Sequence, residues 1–209
     1  IVPNSVQHNV PAWTLFAIFF IMVPLSINIV KEKNQGTYLR LISSPTSNSI
    51  LYLGKIITYL FICLLQFYTI LIIAKVLFPY MNLPELNLSF KKIALMSVLT
   101  LTAGLAAIGM AILLGIVSKT QEQSAPFGAT FVIILAAVGG VWIPVFAMSQ
   151  VMQIASKASP MNWALNGYYD IILRNGLLID IIPEMILLTL FFVVFTTCAL
   201  LYDKKKRTV

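Results

Sequence analysis

The stretch from Ile93 to Ser118, IALMSVLTLTAGLAAIGMAILLGIVS, runs for 26 residues without one Asp, Glu, Lys, Arg or His. The hydrocarbon core of a bilayer is about 30 Å thick, and a helix needs about 20 apolar residues to cross it. The stretch is therefore long and apolar enough to be a transmembrane helix. Small residues recur at every fourth position along it and share one helix face, at Ala103, Ala107, Ala111 and Gly115.

A face of small residues allows two helices to approach closely in lipid. Two explanations fit the small-residue face of this stretch. It packs against other helices of the same bundle, or it forms a seam between two copies of the chain. The sequence leaves both open.

The composition of the whole chain agrees with a membrane protein. Its 209 residues are 59% hydrophobic and only 10% charged, whereas soluble domains carry about 25% charged residues. Such a composition excludes a soluble globular domain, a disordered chain and a disulfide scaffold. Both cysteines, Cys63 and Cys198, lie inside apolar runs and are expected to behave as small hydrophobic residues.

Four more apolar stretches complete the predicted fold, an all-α polytopic membrane bundle of five transmembrane helices with a cytoplasmic coupling helix and an outer re-entrant segment. We predict that the transmembrane helices cover 12–30, 49–78, 93–118, 126–147 and 182–202. The segments between and around them are predicted to be an extracellular end (1–11), a cytoplasmic coupling helix and linker (31–48), an extracellular loop (79–92), a cytoplasmic loop (119–125), extracellular re-entrant helices (148–181) and a cytoplasmic basic tail (203–209).

The basic residues predict the orientation, because Lys and Arg that flank short loops are retained on the cytoplasmic side. One side would hold Lys31, Lys33, Arg40, Lys55, Lys119, Lys204, Lys205, Lys206 and Arg207. The other would hold Lys91, Lys92, Lys157 and Arg174, with Lys75 reaching toward it. We therefore expect a cytoplasmic C-terminus. The net charge of +7 is interpreted as this topology signal, and no nucleic-acid partner is expected.

Residues that could perform catalysis are scarce. With His8 as its one histidine, the chain has neither a Ser-His pair nor a histidine-based zinc site, and we predict no catalytic residue and no metal ligand. The phosphate-binding pattern G-x-x-x-x-G-K-[ST] does not occur. The spans contain almost none of the ionisable residues that mark ion-coupled transport. We therefore expect a non-enzymatic bundle that is passive, structural or driven by a partner.

Two segments outside the spans have helical signals. In KEKNQGTYLRLISSP, residues 31–45, charged residues alternate with Tyr38, Leu39, Leu41 and Ile42 in a way that predicts a short amphipathic helix. This helix either lies in the lipid headgroups or docks on a soluble motor protein.

The second segment lies on the outer side. Ser159 and Pro160 predict a helix start, and Asn175 with Gly176 predicts its end. Its aromatic residues Trp163, Tyr168 and Tyr169 form either a belt at the headgroup level or part of an outer gate, in which Asp170 and Arg174 pair four residues apart.

The sequence NIVKEKNQGTYLRLISSPTSNSILYLGKI, from Asn28 to Ile56, resembles the signature of type 2 permeases of ABC transporters. The matching positions are Lys31, Glu32, Gly36, Thr37, Arg40, Leu41, Ser44, Pro45, Gly54 and Lys55. Lys33 stands where the family often has a different charge pattern. SPMNWALNGYYDIILRNG, from Ser159 to Gly176, is similar to the outer re-entrant segment of the family, with Pro160, Trp163, Asp170, Arg174 and Gly176 as its marked positions.

The resemblance implies a mechanism. Two permease chains, identical or different, would form a dimer in the plasma membrane, which is the inner membrane in bacteria. Two separate ATP-binding subunits would bind ATP and Mg²⁺, dock on the coupling helix and drive export of a drug, lipid or other amphipathic substrate. Residues 31–45 would couple to the ATPase, Gly54 and Lys55 would be structural, and no cofactor would bind this chain. The five spans would be the second to sixth of six, with residues 1–11 following a preceding region.

Two other functions compete with this expectation. An ion-coupled secondary transporter would need an ionisable site in mid-membrane, and the sequence offers none. A membrane scaffold without transport activity would need no ATP-binding partner at all.

Overall fold

The structure is a computed structural model that describes residues 3–35, 48–84 and 88–207. Within these ranges the chain is helical and has no β-strand. The α-helices are α1 (Ser5–Phe20), α2 (Met22–Asn34), α3 (Asn48–Tyr80), α4 (Phe90–Val117), α5 (Gln121–Gly139), α6 (Gln150–Ser156), α7 (Pro160–Leu173) and α8 (Leu178–Arg207). A 3-10 helix covers Val145–Ala147.

Five helical spans are long and apolar enough to cross a membrane, which confirms the predicted fold class. They are Ser5–Asn34, Ile50–Tyr80, Phe90–Val117, Gln121–Gly139 and Leu178–Lys205.

The first span consists of α1 and α2 with a break at Ile21. The break precedes Pro24, which has no N–H to donate to the carbonyl of Phe20 four residues earlier. The span begins at Ser5 rather than at the predicted residue 12. Asn4 accepts a hydrogen bond from the Gln7 amide at 2.7 Å, and the Gln7 side chain accepts one from the Asn4 amide, so a capping box fixes the earlier start.

Helix α4 is the centre of the bundle and packs against α2, α3, α7 and α8. Glycines make three of these contacts close, because a Cβ at each would meet a neighbouring helix. Gly104 lies against Cys63 of α3, Gly109 against the Phe192 backbone of α8, and Gly115 against Ile29 of α2. The central position of α4 therefore depends on residues without side chains at the crossing points.

The faces of α3 and α8 that point away from α4 are exposed and apolar. Ile57, Phe61 and Leu65 on α3 are more than half exposed, and so are Ile186 and Leu190 on α8. Apolar residues on the outside of a bundle with five candidate spans are the surface that lipid covers.

Helix α5 ends earlier than predicted. It stops at Gly139, not at residue 147, because Gly140 has a left-handed backbone with φ of 89°. The amide of Val141 then donates to the Ala136 carbonyl at 3.1 Å, which closes the helix end. The following residues form the 3-10 helix and α6, both of which lie between spans.

The helices define two ends of the bundle. At the end called here the Glu32 end, α2, α4 and α8 finish and α3 and α5 begin. At the opposite end, called the Arg174 end, α1, α4 and α8 begin. Residues 141–177 connect α5 to α8 at the Arg174 end and include α6 and α7. That this segment re-enters the membrane stays a prediction.

Candidate functional site

An ion pair joins α2 to α3 at the Glu32 end. Lys55 Nζ donates to Glu32 Oε1, with the two side chains 17% and 26% exposed. Glu32 is in the last turn of α2, and Lys55 is about two turns into α3. Glu32 and Lys55, which belong to two different parts of the sequence signature, are thus direct partners. The sequence alone did not predict this contact.

Lys33 connects the same turn of α2 to α4. Its Nζ donates to the carbonyls of Gly115 at 3.4 Å and Ile116 at 3.1 Å, in the last turn of α4. Carbonyls at a helix C-terminus have no partner within the helix and carry partial negative charge, which a lysine stabilises. Asn34 adds a hydrogen bond to the Lys119 carbonyl at 3.3 Å. The end of α2 is therefore held against two neighbouring helices.

The rest of the predicted coupling helix lies outside the described residues. This applies to Gly36, Thr37, Arg40, Leu41, Ser44 and Pro45. Lys31 is described and is exposed. Gly54 is also exposed, and a Cβ there would meet no atom within 4 Å, so packing within this chain does not require a glycine at that position.

At the Arg174 end, α7 is fixed to the end of α5. Ser159 is the N-cap residue and Pro160 the first residue of α7, as predicted. The Ser159 hydroxyl donates to the Leu135 carbonyl at 3.4 Å, and Asn162 Nδ2 donates to the Gly139 carbonyl at 3.4 Å. The start of α7 therefore supplies donors to carbonyls at the end of α5, and the Gly139 carbonyl is among those that have no partner within the helix.

Tyr168 does not face outward, as the aromatic-belt interpretation required, but is fully buried inside the bundle. Its hydroxyl shares a hydrogen bond of 2.7 Å with Thr100 of α4, and its ring stacks on Phe67 of α3 at 6.5 Å. Thr100 is about 15 Å along α4 from Phe90. Burial raises the pKa of Tyr168, so the hydroxyl stays protonated. A tyrosine can be this deep because Thr100 satisfies its polar group.

The end of α7 contains the predicted pair of Asp170 and Arg174, in which the guanidinium donates to Asp170 Oδ1. Asn175 has φ of 53°, and the amide of Gly176 donates to the Asp170 carbonyl at 2.8 Å. Because Arg174 is 72% exposed, its ion pair contributes little to stability. Trp163 donates from Nε1 to the Lys157 carbonyl at 2.7 Å, which links α7 to the residues after α6.

Comparison with known proteins identifies the family. Residues 2–201 match the family model described as ABC-2 family transporter protein. The chain belongs to the ABC-2 transporter family. It is also 25% identical over 170 residues to the linearmycin resistance permease protein LnrN of Bacillus subtilis (strain 168). The match covers 80% of this chain and 42% of that permease, so the chain spans less than half the length of this relative.

The small-residue face of this ABC-2 chain is buried within a single copy. Ala103, Ala107 and Ala111 have no exposed surface, and Gly115 is also buried. Gly115 contacts Ile29 and the Ser26 carbonyl of α2. Packing inside one bundle therefore accounts for these four residues.

The ABC-2 chain has a further link at the Arg174 end that sequence reasoning missed. His8 Nδ1 shares a hydrogen bond with the Tyr169 hydroxyl, which connects α1 to α7. Burial raises the pKa of Tyr169 to about 12, so its hydroxyl stays protonated at neutral pH. Tyr169 also lines a cavity of about 180 Å³ together with Asn166 and Arg174. No motif indicates this contact, because the two residues are 161 positions apart.

Polar residues within the spans bond in two ways. The Ser97 hydroxyl bonds to Tyr68 of α3 at 2.8 Å, and Thr100 bonds to Tyr168, so both connect helices in addition to donating to carbonyls of α4. Thr69 and Thr102 donate to carbonyls of their own helices, at 2.7 and 2.8 Å. A hydroxyl close to its own backbone reaches the carbonyl of the preceding turn without help from a neighbour.

Proposed function

We propose that this ABC-2 family member is the membrane-spanning permease subunit of an ATP-driven exporter. Separate ATP-binding subunits would bind ATP and Mg²⁺, and their motion would reach the bundle through residues 31–45. A dimer of permease chains would form the path for a drug, lipid or other amphipathic substrate. The chain would lie in the plasma membrane, or the inner membrane of a bacterium, with its C-terminus in the cytoplasm.

The observation that carries this proposal is the construction of the Glu32 end. Glu32 and Lys33 hold the last turn of α2 to α3 and α4, and the two helices that flank segment 36–47 end and begin there. A displacement applied to that segment would reach the central helix directly. Within the described residues, the buried histidine and aspartates, His8, Asp170 and Asp203, lie near the ends of the bundle and not in its middle. This arrangement favours an external motor over an ion relay.

The relative with a resistance function supports an outward direction. The relative is named as a linearmycin resistance permease, and resistance would follow if a related bundle moved such a compound outward. Residues 31–45 would then couple to the ATPase, and α7, with Pro160, Trp163, Asp170, Arg174 and Gly176, would close the outer end of the path.

The test is co-expression of the full-length protein with a candidate ATP-binding subunit from the neighbouring genes, in a linearmycin-sensitive host. We expect growth at linearmycin concentrations that inhibit the empty host, and loss of this growth when the ATPase carries a hydrolysis-defective substitution. Charge reversal at Glu32 or Arg40, with expression and assembly intact, should also abolish resistance. ATP-dependent uptake of a fluorescent amphiphile into inverted vesicles would measure export of other substrates.

The alternatives make different predictions. Transport driven by an ion gradient in vesicles without any ATPase would support a secondary transporter. Absence of an ATP-binding subunit from the neighbouring genes would favour a scaffold.

A further inference from the structure

The Glu32 to Lys55 ion pair is a direct side-chain contact between the two helices that flank segment 36–47. Both side chains are largely buried, at 26% and 17% exposed. Solvent screens such a pair less than it screens a fully exposed pair. The contact therefore constrains the distance between the last turn of α2 and the second turn of α3.

A third helix approaches the same pair. Tyr52 precedes Lys55 by three residues and so lies on the same face of α3. The charges of Asp203 on α8 and of Glu32 on α2 both act on Tyr52. Asp203 is only 8% exposed, so it is inside the bundle and not in solvent. The charge at the end of α8 therefore acts on the same face of α3 as the ion pair.

The residue next to Glu32 connects the same turn of α2 to α4. Lys33 follows Glu32 in the chain and donates to two carbonyls at the end of α4. One turn of α2 thus contacts α3 through Glu32 and α4 through Lys33. A shift of this turn cannot occur without displacing both helices or breaking one of the contacts.

We infer that the Glu32 to Lys55 ion pair is a brace that couples motion of segment 36–47 to the bundle. The inference rests on the proposed function, in which an ATP-binding subunit acts on that segment. With the pair intact, the ends of α2 and α3 move together. Without it, the ends of α2 and α3 move independently, and ATP hydrolysis loses its connection to the permease. Glu32 and Lys55 are positioning residues in this inference.

The experiment exchanges the two charges. Glu32→Lys, Lys55→Glu and the double variant are made in the full-length protein and purified with its ATP-binding subunit, and ATP hydrolysis stimulated by the permease is measured. We expect each single variant to lose stimulation by about tenfold, the effect of about 1.4 kcal/mol. The double variant should recover at least half of it. Glu122→Gln, which changes an exposed carboxylate at the same end, is the control and should keep full stimulation.

A neutral pair of variants covers the case in which charge reversal prevents folding. Glu32→Gln and Lys55→Met keep side-chain size and remove the ion pair, and each should lower stimulation by about threefold in a folded complex. Full stimulation in these folded variants would overturn the inference.

Thermal unfolding of the permease without its ATPase distinguishes an ion pair that couples the ATPase to the bundle from an ion pair that only stabilises the fold. If the single variants unfold at lower temperature and the swap restores stability, while ATPase stimulation is equal in all four proteins, the pair is only structural and the brace is wrong. If the wild-type permease does not bind the ATP-binding subunit, the proposed function itself fails. Joint recovery of stability and stimulation in the swap supports the brace.

Discussion

Gly104 on α4 lies so close to Cys63 on α3 that a Cβ at position 104 would be 2.9 Å from the cysteine sulfur. Leu60 of α3 would be only slightly farther away, at 3.2 Å. Atoms at these distances overlap, so the α3 to α4 contact has room for hydrogen at position 104 and for nothing larger. The closest approach of the two helices is set by these residues.

Gly104→Ala should therefore destabilise the bundle by about 1–3 kcal/mol, the usual effect of overpacking. Cys63→Ala removes the sulfur and should recover part of the loss in the double variant. The free energy of unfolding in detergent, measured by chemical denaturation, tests this. Gly54→Ala is the matched control, because a Cβ there meets open space and alanine favours a helix by about 1 kcal/mol. Equal stability of Gly104→Ala and wild type would contradict the packing described here.

Tyr168→Phe should lower the free energy of unfolding by about 1 kcal/mol, because it removes the buried hydrogen bond to Thr100. The stacking on Phe67 would remain. Thr100→Val tests the same bond from the other side, and the two losses should not add in the double variant. Additive losses would show that the hydroxyls are not partners. Tyr168→Ala should lower the free energy of unfolding further, by about 3–5 kcal/mol, since it also leaves a cavity in the core.

Gly140→Ala should destabilise the end of α5 by about 1–2 kcal/mol, because φ of 89° is left-handed and a side chain there is strained. A Cβ would also approach Val145 to 2.7 Å. Gly140→Asn is the informative comparison, since asparagine tolerates left-handed backbone better than alanine does. Thermal unfolding should rank the proteins as wild type, then asparagine, then alanine, and the reverse order of the two variants would argue against backbone strain.

The orientation predicts a cytoplasmic C-terminus and an external Lys157. Single cysteines are introduced at position 157 and in the tail beyond 203 of a protein without Cys63 and Cys198. A membrane-impermeant maleimide should label position 157 in intact cells and the tail only after permeabilisation. Labelling in the opposite pattern would invert the topology and remove the coupling hypothesis.

Much of the fold was predictable from local patterns. The apolar runs indicated five spans, because crossing lipid requires length and hydrophobicity that the sequence displays directly. Ser159, Pro160 and Asn175 located the ends of α7 correctly, since caps act within a few residues. The pair of Asp170 and Arg174 was predictable for the same reason, because its members are one helical turn apart.

Contacts between residues that are distant in the sequence could not be predicted from local patterns. His8 meets Tyr169, Glu32 meets Lys55, and Tyr168 meets Thr100 only after the helices have packed. Glycines 104 and 109 have no special spacing, yet each occupies a helix crossing. The hydrophobic pattern shows that a helix is apolar. In lipid it does not distinguish a helix face that packs on another helix from a face that contacts acyl chains, since both faces are apolar.

Span number, span location and the caps of α7 were thus properties of the chain itself, because each depends on neighbours within one or two helical turns. The burial of Tyr168 and the partner of Glu32 were decided by tertiary packing. Burial of a tyrosine or a carboxylate is favourable only when a partner from another helix satisfies its polar atoms, and that partner exists only in the folded bundle.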